Sequence, residues 1–288
     1  MKRPLFSCVI PVKGERPFFD EALASLMSQG MGDDLEIIVQ DADVFNTKAQ
    51  RHGGTEDFRG ACGAGKNSSE SLCLCVEKNI DGVRWCKELD KGQSDALNKG
   101  FKKVRGEWLF WLNADDVLLP NALKRVQNFI TLNSKLQTLN WIAGDEFFID
   151  AKGRKLSCSV GNGWHDWLYR HAVPHVNGPS AFFKKELFER AGGFDVDLKY
   201  CMDWDIWIRF MKAGARFERL GRFLWAQRRW SGSKTQRELS GAELVEQQAE
   251  IARMLRKNAF DVTARGIFIL RLWRLLSGCY FKEKLCGR

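Results

Sequence analysis

The sequence contains no C-x-x-C pair, no secretory leader pattern, no apolar run long enough to cross a bilayer and only four histidines. Each absence removes a class of function. Nine cysteines without paired spacing argue against a structural zinc site. Lys2 and Arg3 precede an apolar run that Pro11 ends too early for a signal h-region. Reduced thiols in a cytoplasmic setting are therefore expected. A spanning helix needs ~18 apolar residues. The nearest candidate, Gly266 to Phe281, is interrupted by Arg271 and Arg274. Internal repeats and low-complexity tracts are also missing. The formal net charge of +9 suits anionic partners such as nucleotides or an anionic membrane surface. With no nucleic-acid motif to accompany it, nucleic acid is not an expected partner.

What is present is an ordinary globular composition, 44% hydrophobic and 28% charged, in a chain of 288 residues that can bury a full core. Short apolar runs alternate with helical patterns in the first half. Leu5 to Val12, Glu36 to Gln40, Val83 to Glu88 and Trp108 to Leu112 read as strands. Phe18 to Gln29 and Gln93 to Val104 read as helices between them. Runs that are apolar on both faces belong in a parallel sheet covered by helices, so a doubly wound α/β architecture is predicted, with a mostly parallel central sheet. Residues 46–79, rich in Gly, Ser and charge, read as a long loop.

The second half predicts a hairpin from Trp141 to Ile149 and Lys155 to Ser159, a short strand at Ser180 to Phe183, and a helix at Glu186 to Ala191. A helix at Asp203 to Ala213 follows, then two short strands near Arg216 to Leu220 and Phe223 to Arg228. From Gln236 the chain reads as helical with a break at Asn258 to Asp261. The expected organisation is a catalytic domain over 1–235, whose halves are 1–116 and 117–235, and a helical C-terminal extension over 236–288.

Ligands in open parallel sheets bind beyond the carboxyl ends of the strands. Lys13 and Glu15 follow the first strand, Asp41 and Asp43 the second, Asp90 the third, and Asn113-Ala114-Asp115-Asp116 the fourth. Acids crowded at one edge need a cation or hydrogen-bond donors, and a hard metal with oxygen ligands answers that need. In the helix after Asp90, Asp95, Asn98, Lys99 and Lys102 share one face, either as a ligand contact or as a solvated face with an Asp95–Lys99 pair.

The segments FSCVIPVKGE (6–15), EIIVQDAD (36–43), ELDKGQSDALNKGF (88–101) and GEWLFWLNADD (106–116), in this order, resemble glycosyltransferase family 2. AGGFD (191–195) and DWDIWIRF (203–210) are similar to its later part. The resemblance implies a GT-A fold, inversion at the anomeric carbon, and a nucleotide-sugar donor whose base is uracil by family habit. It implies donor contacts from Pro11, Val12, Glu15, Asp41, Asp90, Lys99, Asn113, Ala114 and Asp115. It implies Mg²⁺ or Mn²⁺ held by Asp115 with Asp116, since Asn113 replaces the first acid of the family's D-x-D motif. Asp203 falls on the family's general base. Many members carry a His after an Arg near the end of the catalytic domain, where this chain has Trp230. Arg229, Lys234 and His175 are then candidates for diphosphate or acceptor contacts.

The implied activity is transfer of a hexosyl or N-acetylhexosaminyl group to a glycan or lipid-linked acceptor, as in bacterial surface polysaccharide or lipopolysaccharide assembly. Two alternatives remain open at this point. One is a catalytically silent nucleotide-sugar binder. The other is a P-loop-like phosphotransferase, from Gly60 to Asn67 with Lys66, although the hydroxyl that a P-loop carries after its Lys is missing. Residues 262 to 284 combine apolar bulk with flanking cations, which suits either an interfacial helix on an anionic leaflet or packing against the catalytic domain.

Overall fold

The computed structural model describes residues 2–43, 79–80, 82–133, 138–161, 176, 178–233, 240–259, 263–276 and 283. The 46–78 part of the long loop, which includes the Gly60–Asn67 segment, and His175 and Lys234 lie outside the described residues.

Among the described residues ten strands form one sheet: β1 (Phe6–Val12), β2 (Leu35–Asp41), β3 (Asn79–Ile80), β4 (Val83–Lys87), β5 (Trp108–Trp111), β6 (Val117–Leu118), β7 (Trp141–Ile149), β8 (Lys155–Ser159), β9 (Ala181–Lys184) and β10 (Phe217–Arg228). Their order is β3-β4-β2-β1-β5-β9-β7-β10-β6, with β8 paired to β7. The stretch β4-β2-β1-β5 is parallel throughout, as its two-sided apolar runs predict. Beyond it β9 runs antiparallel to both β5 and β7, and β7 pairs parallel with β10.

Among the described residues seven α-helices accompany the sheet: α1 (Phe19–Met27), α2 (Gln93–Lys103), α3 (Ala122–Leu132), α4 (Lys185–Arg190), α5 (Met202–Lys212), α6 (Gly241–Lys257) and α7 (Ala264–Leu276). Strand alternation divides the core between the two faces. Val9 of β1 packs with Leu97 and Phe101 of α2, whereas Cys8, Ile10 and Val12 pack with Phe19, Ala22 and Leu26 of α1. The α2 contact needs a glycine. A Cβ on Gly100 would lie 2.4 Å from Val9 Cγ1.

Two expectations change in detail. The two strands foreseen after α5 are one strand, β10, which survives register shifts around Phe223 because Gly221 takes φ +64°. The elements β6 and α3 were not foreseen. Two residues give β6 no periodicity, and α3 starts after Asn121 in the left-handed region without a side-chain cap. Trp207 is fully buried. It stacks between Trp111 and Trp141, and its indole N–H donates to the Val176 carbonyl at 3.1 Å.

Several groups tie α6 to the segment around the start of α5, among them Lys257 on Asp195, Asn258 on Asp205, and Glu250. Glu250 of α6 accepts the backbone N–H groups of Lys199, Tyr200 and Cys201 at 2.7–3.1 Å, directly before α5 begins. The break between α6 and α7 comes where Ala259 adopts φ +47°.

Candidate active site

A cleft of about 340 Å³ opens at the carboxyl ends of β1 and β5. Pro11, Val12, Lys13, Glu15 and Arg16 form one wall as the chain leaves β1. Asp90, Gly92, Gln93 and Ala96 supply a second at the start of α2, and Asn113 to Asp116 a third after β5. Gln227, Arg228 and Ser233, at and beyond the end of β10, close the remaining side. Nine of the residues named from sequence are thus brought together: Pro11, Val12, Lys13, Glu15, Asp90, Asn113, Ala114, Asp115 and Asp116.

Asp41 lies behind this wall. It is buried and pairs at 3.2 Å with Arg16, whose guanidinium also sits over the Trp85 and Phe19 rings at 5.5 and 5.7 Å. Asp41 therefore fixes a cation that faces the cleft. Arg16 follows the singled-out Lys13 and Glu15 in KGER, so its signal was adjacent to the ones used. Asp90 accepts the Gly92 N–H at 2.9 Å. Burial, opposed by that bond, raises its carboxyl above the ordinary aspartate value. Gly92 takes φ +135°, a conformation that side chains disfavour, and thereby starts α2 against the cleft.

The loop after β5 is held from within. Asn113 donates its amide N–H to Asp116 at 2.8 Å and accepts from the Gln93 amide at 2.9 Å. Asp116 is buried, and its second oxygen accepts the Arg228 backbone N–H at 2.9 Å. Burial, reinforced by neighbouring Asp115, pushes its carboxyl well above the usual aspartate range. Both residues brace the loop, so of its two cleft-lining acids Asp116 has both oxygens engaged in holding the loop itself. The buried Arg228 completes the brace. Its Nε donates to the Asp115 carbonyl at 3.0 Å, and Nη2 pairs with Glu21 at 2.6 Å. Sequence reasoning favoured Arg229 over Arg228, because nothing in the chain announces that β6 pairs with β10 and draws Arg228 under the loop. Arg229 instead stacks on Phe148 at 3.7 Å, outside the cleft wall. Nearby Glu146, buried on β7, has its carboxyl pushed up by burial to about 8.

A divalent metal is compatible with this donor set. Among the described residues no group of three or more His, Cys, Asp or Glu is placed to hold one. A small hard cation bound by one or two carboxylates, water and a substrate diphosphate needs no such cage. Asp115 at the cleft supplies the carboxylate that mode requires.

Lys99 makes the predicted i, i+4 pair with Asp95 at 3.1 Å and a second with Glu88 at 3.5 Å, outside the cleft wall. Asp203 lies in the first turn of α5, where one oxygen accepts the Trp204 N–H at 2.8 Å. Its neighbour Met202 meets Ser94 Oγ of α2 through sulfur at 3.1 Å, and Ser94 follows the cleft residue Gln93. The start of α5 is thereby set against the start of α2.

Residues 66–190 match the model of glycosyl transferase family 2. The chain is 26% identical over 220 residues to an uncharacterized glycosyltransferase of Rickettsia prowazekii, an alignment covering 74% of this chain and 60% of that protein. The chain thus spans about three fifths of that relative's length. Among solved structures, S. aureus TarS 1-349 in complex with UDP-GlcNAc superposes with a TM-score of 0.56 at 16% identity, covering 87% of this chain and 66% of that one. A mannosyltransferase from Pyrobaculum calidifontis in complex with GDP-Man and Mn²⁺ gives 0.53 at 17% identity, covering 92% and 66%. The matched segment contains the acidic loop after β5, and these structures share the curled α/β sheet. Over residues 66–190 the chain is similar to glycosyl transferase family 2, and it has the GT-A fold of these solved structures.

Proposed function

We propose that the chain is a metal-dependent, inverting glycosyltransferase. It moves a hexosyl or N-acetylhexosaminyl group from a nucleotide sugar, UDP-linked by this reading, to a hydroxyl of a glycan or lipid-linked acceptor in bacterial surface polysaccharide or lipopolysaccharide assembly. The observation that carries the reading is the cleft itself. Asp115 lines it together with Lys13 and Arg16 at the carboxyl ends of parallel strands, a setting for a diphosphate and its cation. Complexes of the structural relatives with UDP-GlcNAc and with GDP-Man and Mn²⁺ support it.

In this mechanism the acceptor hydroxyl loses its proton to the Asp203 carboxylate as its oxygen bonds to the anomeric carbon. The bond from that carbon to the diphosphate breaks, and the nucleoside diphosphate leaves with the electron pair. Arg16, held by Asp41, and Lys13 face the charge that gathers there. A bound Mg²⁺ or Mn²⁺ would supply further stabilisation of that charge. The test is a donor screen that follows nucleotide release from UDP-, GDP- and dTDP-sugars with Mn²⁺ or Mg²⁺. Release from a UDP-sugar, lost in EDTA, is expected. Calorimetric binding of a donor with no turnover on any acceptor would favour the silent binder instead.

Peripheral contact with an anionic leaflet belongs to the same reading. Among the described residues no helix is long and apolar enough to cross a membrane. Helix α7 exposes Phe268, Leu272 and Leu275 at i, i+4 and i+7, with exposed Arg271 beside them. Its opposite side is fastened by buried Arg274, which pairs with Glu283 at 2.5 Å and donates to the Val160 carbonyl at 3.3 Å. Packing on the domain and an outward apolar face therefore coexist in one helix. Full-length protein is expected to pellet with phosphatidylglycerol vesicles at low salt, and the triple variant F268E/L272E/L275E to remain in solution. Wild-type protein that stays in the supernatant would remove the membrane from the proposal.

A further inference from the structure

We propose that Trp230 is a positioning residue for the metal site, presenting one oxygen of Asp115 to the cation by holding the other. This rests on the metal-dependent reading above. The indole Nε1–H of Trp230 donates to Asp115 Oδ2 at 2.9 Å. An indole has no acceptor and cannot ligate a metal, so its contribution at this place is a single neutral donor. Such a donor leaves the carboxylate charge intact while engaging one of its oxygens. It favours one-oxygen coordination, which suits the strict octahedral geometry of Mg²⁺ better than a bidentate clasp.

The arrangement is built into the local sequence. The Trp230 ring meets Phe18 edge to face at 5.3 Å, and the other partner of that phenyl ring is the Arg228 guanidinium at 4.4 Å. Arg228 in turn holds the Asp115 carbonyl. One cluster therefore fixes both the backbone and the carboxylate of the same residue. The turn after Trp230, closed by the Ser233 N–H on the Trp230 carbonyl at 3.0 Å, folds the indole over Gly232. A Cβ on Gly232 would lie 2.2 Å from two ring carbons, so the indole holds this position only above a glycine. The sequence Trp230-Ser231-Gly232-Ser233 thus encodes the aim of the N–H as well as its presence.

Groups that orient a metal ligand through a hydrogen bond are typically worth ~10–100-fold in metal affinity. The measurement is Mn²⁺ uptake followed by loss of the free-ion paramagnetic resonance signal, with saturating UDP and, in parallel, GDP. Trp230→Phe keeps the ring against Phe18 and removes the donor. It is expected to weaken Mn²⁺ binding by ~10–100-fold, with the melting temperature and the metal-free nucleotide affinity unchanged. Gly232→Ala, which keeps the indole but displaces it, is expected to shift the Mn²⁺ midpoint in the same direction. It decides the matter if the Phe variant fails to fold. An unaltered midpoint in the folded variants overturns the role of Trp230 alone. Wild-type protein that takes up no Mn²⁺ with either nucleotide overturns the metal-dependent reading, and this inference with it.

Discussion

Asparagine at position 203 is expected to lower kcat by ~10²–10⁴-fold, the usual range for loss of a general base, while nucleotide affinity measured by calorimetry hardly moves. An amide cannot take a proton at neutral pH, but it can still accept the Trp204 N–H that Asp203 accepts now. The local turn therefore survives the substitution, and a purely structural Asp203 would show almost no loss. Asp205 is the internal control, and its surroundings determine what that control should show. The two acids point about 200° apart at helical spacing. Asp205 is fully buried, with one oxygen paired to Arg209 at 2.5 Å and the other accepting from Asn258 at 2.7 Å. Breaking a buried pair of this kind costs ~3–5 kcal/mol. Asp205→Asn should consequently appear as a lower melting temperature, with kcat per folded molecule near that of wild type. Near-wild-type turnover in Asp203→Asn, beside a collapse in folded Asp205→Asn, would transfer the base assignment to Asp205.

That contrast shows which kind of information the chain carries openly. Periodicity is local, so the two-sided apolar runs of β1, β2 and β5 identify a parallel core, and residue spacing alone separates the apolar from the polar faces of α1 and α2. The acids after successive strands are equally open to reading, because a strand's carboxyl end marks one edge of the sheet. What escapes depends on pairing between distant segments. The two residues of β6 have no pattern of their own, yet their pairing with β10 brings Arg228 beneath the loop of Asp115 and Asp116. The position of Trp230 stood out only as a departure from the family. Its use, a donor aimed at Asp115, follows from the turn over Gly232. Asp116 illustrates the converse. Its residue type suits a metal, but burial and two hydrogen bonds commit it to bracing the loop.

The same bracing makes the outcome at Asp115 severe. Asn113 has its amide engaged at both ends, and Asp116 has an oxygen on each of two partners, so neither is placed to replace a lost ligand. Asparagine at position 115 is the informative substitution, because its carbonyl oxygen can still accept the Trp230 N–H while the charge disappears. The loop should then keep its shape, and the melting temperature should hold. Metal stabilisation of a leaving diphosphate is worth several kcal/mol, and each ~1.4 kcal/mol is tenfold in rate. Turnover is therefore expected to fall by ~10³-fold or more. Added Mn²⁺ should restore wild-type protein after EDTA treatment and should restore the variant little or not at all. Asp116→Asn should instead lower the melting temperature, because it replaces one acceptor oxygen of the brace with a donor. Turnover of Asp115→Asn at the wild-type rate, or full wild-type activity after dialysis into EDTA, would show that the developing charge is met by Lys13 and Arg16 without a cation.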